Sequence, residues 1–199
     1  EGMDYLIWQE QHHRLDEATI RETLVPVLDG RLSYLPSGAR EKPGLYPQQT
    51  GELQRRILAQ LEAVTDVVFI DLGTAKDGLA DSMMELADVV VVNFCGQQRE
   101  LETFFGQSFA VHKNVLYLLP NYMDDQVYNR ENLERIYRID RRRICNLPSN
   151  INFAHACMHG RVDQFIQKCG PVRGVHRNAM FFEQLRYLAS LIQEVGGYA

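Results

Sequence analysis

Hydrophobic residues fall along the middle of this chain in two alternating patterns. Val67-Val68-Phe69-Ile70, Val89-Val90-Val91-Val92 and Val115-Leu116-Tyr117-Leu118-Leu119 are unbroken apolar runs, and Ile144-Cys145-Asn146-Leu147 is a weaker fourth. None of the first three alternates polar with apolar, which predicts strands buried on both faces, as in parallel sheets. Apolar residues at helical spacing fill the gaps. Leu53, Ile57, Leu58 and Leu61 precede the first run. Leu79, Met83 and Leu86 lie between the first and second, Leu101, Phe104 and Phe105 between the second and third, and Leu133, Ile136 and Tyr137 between the third and fourth. This alternation predicts an α/β fold with a mainly parallel sheet and helices on both faces.

The flanks read differently. Leu15 to Leu28 predicts one helix interrupted at Pro26, and Leu32 to Pro36 a short strand. Residues 36–49 are rich in Gly and Pro and predict a surface loop. Asn152 is placed to cap a helix running to Lys168, with Gly170-Pro171 as its stop. A last helix is predicted from Asn178, with Phe181, Leu185, Leu188 and Ile192 on one stripe and Gly196-Gly197 at its end.

Composition narrows the class. The chain has 199 residues, 45% hydrophobic and 24% charged, which fits a single α/β domain with a substantial core. Its net charge of -5 gives no chain-wide attraction to nucleic acid or anionic lipid, and Arg141-Arg142-Arg143 reads as a solvated helix end. No apolar stretch approaches the roughly 18 residues of a membrane span. Cys95, Cys145, Cys157 and Cys169 show no CxxC spacing, so a reduced, cytoplasmic protein is expected.

Candidate chemistry is concentrated between Asp66 and Phe94, DVVFIDLGTAKDGLADSMMELADVVVVNF. An apolar run ends in Asp71, and Gly73 follows. In open α/β sheets, ligands bind at the carboxyl ends of strands. An acid there either holds a Mg²⁺-bound water or simply begins a turn. His155 and His159 stand one helical turn apart, a spacing that can bind zinc. Cys157, at a spacing of two, does not share their face, and the pair reads as a partly exposed helix face. His12-His13 read as surface residues. Ser82, Asp88 and His112 are not read as a triad, because no GxSxG surrounds Ser82.

The stretch resembles the Walker B region of the MinD/ParA family of positioning ATPases. There, an apolar strand ends in Asp, a Gly-containing switch loop follows, and a helix leads to a strand preceded by Ala-Asp, here Ala87-Asp88. Asn121 after the third run, and Pro148-Ser149-Asn150 after the fourth, follow the same order. The resemblance covers Leu32 to Gly196 and rests on order and spacing. It implies a three-layer fold of the P-loop NTPase type, with Asp71 near Mg²⁺ and the attacking water and Gly73 in the switch. It also implies Asn121, Pro148 and Ser149 lining the adenine of ATP. A homodimer is implied, with protein partners at a cell pole or assembly site, as in the pilus-assembly branch of the family.

Three departures stand out. The switch reads Leu72-Gly73-Thr74-Ala75 where the family has a Pro- or Gly-rich turn. Tyr122 stands where many relatives have Arg. No GxxxxGK followed by Ser or Thr occurs anywhere, and no Gly-Lys pair. The expectation is therefore residues 1–199 as one α/β domain without its strand–P-loop–helix unit, which binds ATP weakly by itself and is an ATPase only with that unit. The alternative is a nucleotide-free interaction module on the same scaffold. An unrelated flavodoxin-like or Rossmann-type domain ranks last, because no GxGxxG opens a helix.

Overall fold

The computed structural model describes residues 2–36, 51–73, 78–94, 98–106, 114–123, 127, 129–171, 174 and 176–197. The predicted loop over residues 37–49, Thr74, Ala75, Cys95 and His112 lie outside them. The chain divides into two compact units, Glu1–Leu86 and Ala87–Ala199.

The first unit is helical. It comprises α1 (Met3–Gln11), α2 (Glu17–Thr23), the hairpin strands β1 (Val25–Val27) and β2 (Leu32–Tyr34), α3 (Gly51–Glu62) and α4 (Gly78–Leu86). Leu6, Ile20, Leu53, Ile57 and Leu61 form its core. The helix predicted over Leu15 to Leu28 is shorter than expected. Asp16 caps it by accepting the Thr19 N–H at 2.8 Å, and it stops at Thr23. Pro26 then lies in β1, paired with Ser33 of β2 in an antiparallel hairpin. A proline disfavours helix at the residue before it, and Val25 is extended here.

The apolar run Val67 to Ile70 forms no strand, contrary to its pattern. A strand needs a neighbour to take its backbone groups. Among the described residues of this unit the only strands, β1 and β2, pair with each other. Val68 packs on the helical core, while Val67, Phe69 and Ile70 are exposed, Phe69 to 75%. Buriedness on both faces is thus not realised for this run.

The second unit holds the parallel sheet. Its elements are β3 (Val90–Asn93), α5 (Gln98–Gly106), β4 (Val115–Tyr122), α6 (Arg130–Tyr137), β5 (Ile144–Pro148), α7 (Ile151–Met158), α8 (Val162–Cys169) and α9 (Ala179–Gly196). Strand order is β3-β4-β5, with both pairings parallel. Val90 pairs with Val115, and Tyr117 with Ile144. Side chains alternate across the sheet. Leu119 and Ile144 pack with Leu101, Leu133 and the ring of Phe94. Leu116 and Cys145 point the other way and pack with Leu191. That is why the run of β4 is apolar without alternation: both its sides are covered, whereas β3 alternates in burial and leaves Val91 exposed despite its unbroken apolar run.

The helix predicted from Asn152 to Lys168 is two helices. Gly160 adopts a left-handed φ of 62° between α7 and α8, a conformation that glycine takes without steric cost. The cap is Asn150 rather than Asn152, with Asn150 Oδ1 accepting the N–H of Asn152 at 3.0 Å and of Phe153 at 2.9 Å. The last helix keeps its predicted limits, with Asn178 at its start and Gly197 at φ 75° beyond its end. Phe181 and Phe182 of α9 meet Phe165 of α8, and Phe153 of α7 meets Phe165 and Phe181. Arg141–Arg143 form a 3-10 turn rather than a helix end, capped by Asp140 through the Arg142 N–H at 2.9 Å. Hydrogen bonds from Arg142 hold the Asp140 carboxyl below the usual carboxylate range.

Candidate functional site

Three of the residues expected to line a ligand converge at one end of the parallel sheet. Leu119 pairs with Asn146, and the next pair is Tyr122 with Pro148. β4 therefore carries one residue more than β5 over this interval, which is a bulge. Its cause is local. Pro120 has no N–H to give the ladder, and Asn121 adopts a left-handed φ of 53°. Asn tolerates this region better than most residues. The bulge sets Asn121 next to Tyr122, whose ladder partner Pro148 is followed by the exposed Ser149. Asn121, Pro148 and Ser149 thus share the carboxyl-terminal rim of β4 and β5.

Asp71 and Gly73 belong to the first unit. Asp71 is exposed, and its Oδ1 accepts the Gly73 N–H at 2.9 Å. This is an Asx turn, and it fits Gly73, whose φ of 59° is left-handed. Nothing lies within 4 Å of a Cβ built on Gly73, so the backbone angle, not crowding, favours glycine here.

Behind the rim lies a polar network that the sequence pattern did not point to. Asn178, only 6% exposed, accepts hydrogen bonds at Oδ1 from Asn150 Nδ2 at 3.1 Å and Asn152 Nδ2 at 2.9 Å. Its own amide reaches Cys169 Sγ at 3.6 Å. The three asparagines tie the start of α7, directly after Pro148-Ser149, to the start of α9. A cluster of Asn after a strand was a visible signal, but the link across 26 positions is a tertiary fact. Replacing Asn178 by Ala removes one acceptor from two side-chain amides. Asn178→Ala is expected to cost about 1–3 kcal/mol in urea unfolding. Asn152→Ala, which breaks a single link to Asn178, should cost less; equal losses would show that the shared acceptor does not matter.

Other groups can be assigned by their surroundings. Burial pushes the Cys145 thiol up, so this cysteine is a packing residue rather than a thiolate nucleophile. Tyr117 is likewise raised by burial. Asn146, on β5 opposite Leu119, has a sheltered Oδ1 with no donor among the described residues. No group of three or more His, Cys, Asp or Glu side chains able to hold a metal ion occurs among the described residues. No helix of the described residues is long and apolar enough to cross a membrane.

Each unit, taken by itself, offers chemistry that suits part of Mg²⁺-ATP. The exposed Asp71 carboxylate keeps one oxygen outside its turn, which suits a Mg²⁺-bound water. The Asn121 and Pro148 rim offers a polar edge for a base. The sequence offers no GxxxxGK loop to surround a triphosphate with backbone N–H groups and a lysine. No hydrolytic step follows from these residues alone.

No family model matches the chain, and neither a curated protein nor a solved structure shows a significant match. The functional reading therefore rests on the residues themselves.

Proposed function

We propose that this chain forms the Walker B and base-binding part of a MinD/ParA-like ATPase, which positions, partitions or assembles a cellular machine. In this reading the protein is cytoplasmic and works as a homodimer with protein partners at a cell pole or assembly site. The fold is then a three-layer sheet of the P-loop NTPase type, completed by a phosphate-loop unit. ATP lies against Asn121, Pro148 and Ser149, and Asp71 and Gly73 serve Mg²⁺ and the switch. The observation that carries this reading is the pairing of Tyr122 with Pro148, which supports a shared base-side rim for residues 27 positions apart or more in sequence (148 − 121 = 27). A second reading, a nucleotide-free interaction module, is favoured by the Asx turn, which gives Asp71 a structural reason to be there.

Titration calorimetry with Mg²⁺-ATP separates them. The 199-residue chain is expected to bind weakly or not at all. The whole reading frame, with whatever precedes Glu1, is expected to bind with a micromolar dissociation constant, about -8 kcal/mol. Failure of the whole protein to bind would leave the interaction module. Micromolar binding by the 199-residue chain itself would show that a different set of residues holds the phosphates.

A further inference from the structure

We propose that His155 and His159 form a two-nitrogen site for a divalent late transition-metal ion, such as Zn²⁺ or Ni²⁺, on the exposed side of α7. The site is independent of the nucleotide reading and shares no residue with it.

Asn150 fixes the start of α7, and His159 is the C-cap residue directly after its last helical residue, Met158, at φ -102° and ψ 7°. The His159 N–H donates to the His155 carbonyl at 3.2 Å, so the backbone turn joining the two histidines is closed. Residues four apart on a helix project from the same face. Their rings meet at a centroid separation of 4.3 Å with an interplanar angle of 54°. Both side chains are exposed, and neither imidazole hydrogen-bonds to another described residue. Ala156, about 100° round the helix from His155, is buried, and Phe153 packs against Phe165 and Phe181, which holds one side of the helix inward and leaves the histidines exposed.

The chemistry follows from this placement. An imidazole nitrogen binds Zn²⁺ at about 2.0–2.1 Å, and two rings one turn apart can share one ion. Imidazole donors favour Zn²⁺, Ni²⁺ and Cu²⁺ over Mg²⁺ and Ca²⁺, which prefer oxygen. Because no third His, Cys, Asp or Glu joins the pair among the described residues, water or a partner's donor completes the coordination. Cys157 is exposed but two residues from each histidine, on another face of the helix. The bound ion bridges the last turn of α7 and resists its fraying.

The test is calorimetric titration of Zn²⁺ and of Ni²⁺ into the untagged chain and into His155→Ala, His159→Ala and Cys157→Ser variants. One ion per chain is expected. Each histidine variant should weaken binding by about tenfold or more, because the second contact is intramolecular once the first is made. Cys157→Ser should leave affinity unchanged, and Ca²⁺ and Mg²⁺ should give no competing heat. Zn²⁺ should raise the melting temperature of the parent chain and not that of a His155→Ala, His159→Ala double variant, whose helicity is checked by far-UV circular dichroism. Unchanged affinity in the histidine variants would place the ion elsewhere, for example at His12 and His13, and overturn the proposal. So would loss of binding in Cys157→Ser.

Discussion

In the whole reading frame, Asp71→Ala is expected to abolish ATP turnover while lowering stability by no more than about 0.5–1.5 kcal/mol. The small structural cost follows from geometry. Asp71 is exposed, and the substitution removes one described hydrogen bond, from the Gly73 N–H at 2.9 Å. Water replaces that bond at the surface, and Gly73 keeps its left-handed angle without help because it has no Cβ. The large functional cost follows from the proposed role, since a carboxylate that holds a Mg²⁺-bound water has no substitute in alanine. Asp71→Asn sharpens the comparison. It preserves an oxygen for the Asx turn and removes the charge. A variant that melts like the parent yet turns over no ATP supports the site. If both variants hydrolyse ATP at the parental rate, Asp71 is a turn residue and the nucleotide reading loses its acid.

The central strand of the parallel sheet was legible because it is buried as its sequence implies, whereas β3 leaves Val91 exposed despite an equally unbroken apolar run. Val115 to Leu119 is apolar on both faces, and the structure covers both, with Leu119 on one side and Leu116 on the other. The same rule misplaced Val67 to Ile70. Apolar character records that a segment suits burial; pairing needs a neighbouring strand, which periodicity does not reveal. Helix limits followed cap chemistry where it was unambiguous, as at Gly197. They failed where one glycine, Gly160, split a continuous apolar pattern, because glycine inside a helical pattern is often tolerated.

The site was partly legible for a similar reason. Asn121 and Pro148 follow apolar runs, so their position at strand ends could be read directly. The bulge that aligns them depends on Pro120 and a left-handed Asn121, a local event that changes register by one residue. The Asn150, Asn152 and Asn178 network could not be read, because hydrogen bonds between two helix starts depend on how α7 and α9 dock.

Leu116→Ala is expected to destabilise the second unit by about 2–5 kcal/mol. Leu116 is 0% exposed and lies in β4, the central strand, flanked by β3 and β5. Its side chain packs with Cys145 and Leu191, so truncation leaves a cavity between the sheet and α9. Neither neighbour can readily fill it. Cys145 is anchored in β5, and Leu191 lies within the 18-residue helix α9. The transfer and cavity costs therefore add. Leu118→Ala, on the same face but only half-buried, serves as the comparison and should cost less. Urea unfolding followed by far-UV circular dichroism measures both losses. Trp8, the single tryptophan, lies in α1, so its emission follows the first unit separately. A loss for Leu116→Ala under about 1 kcal/mol, or one no larger than for Leu118→Ala, would mean that β4 is not packed against α9 through Leu116.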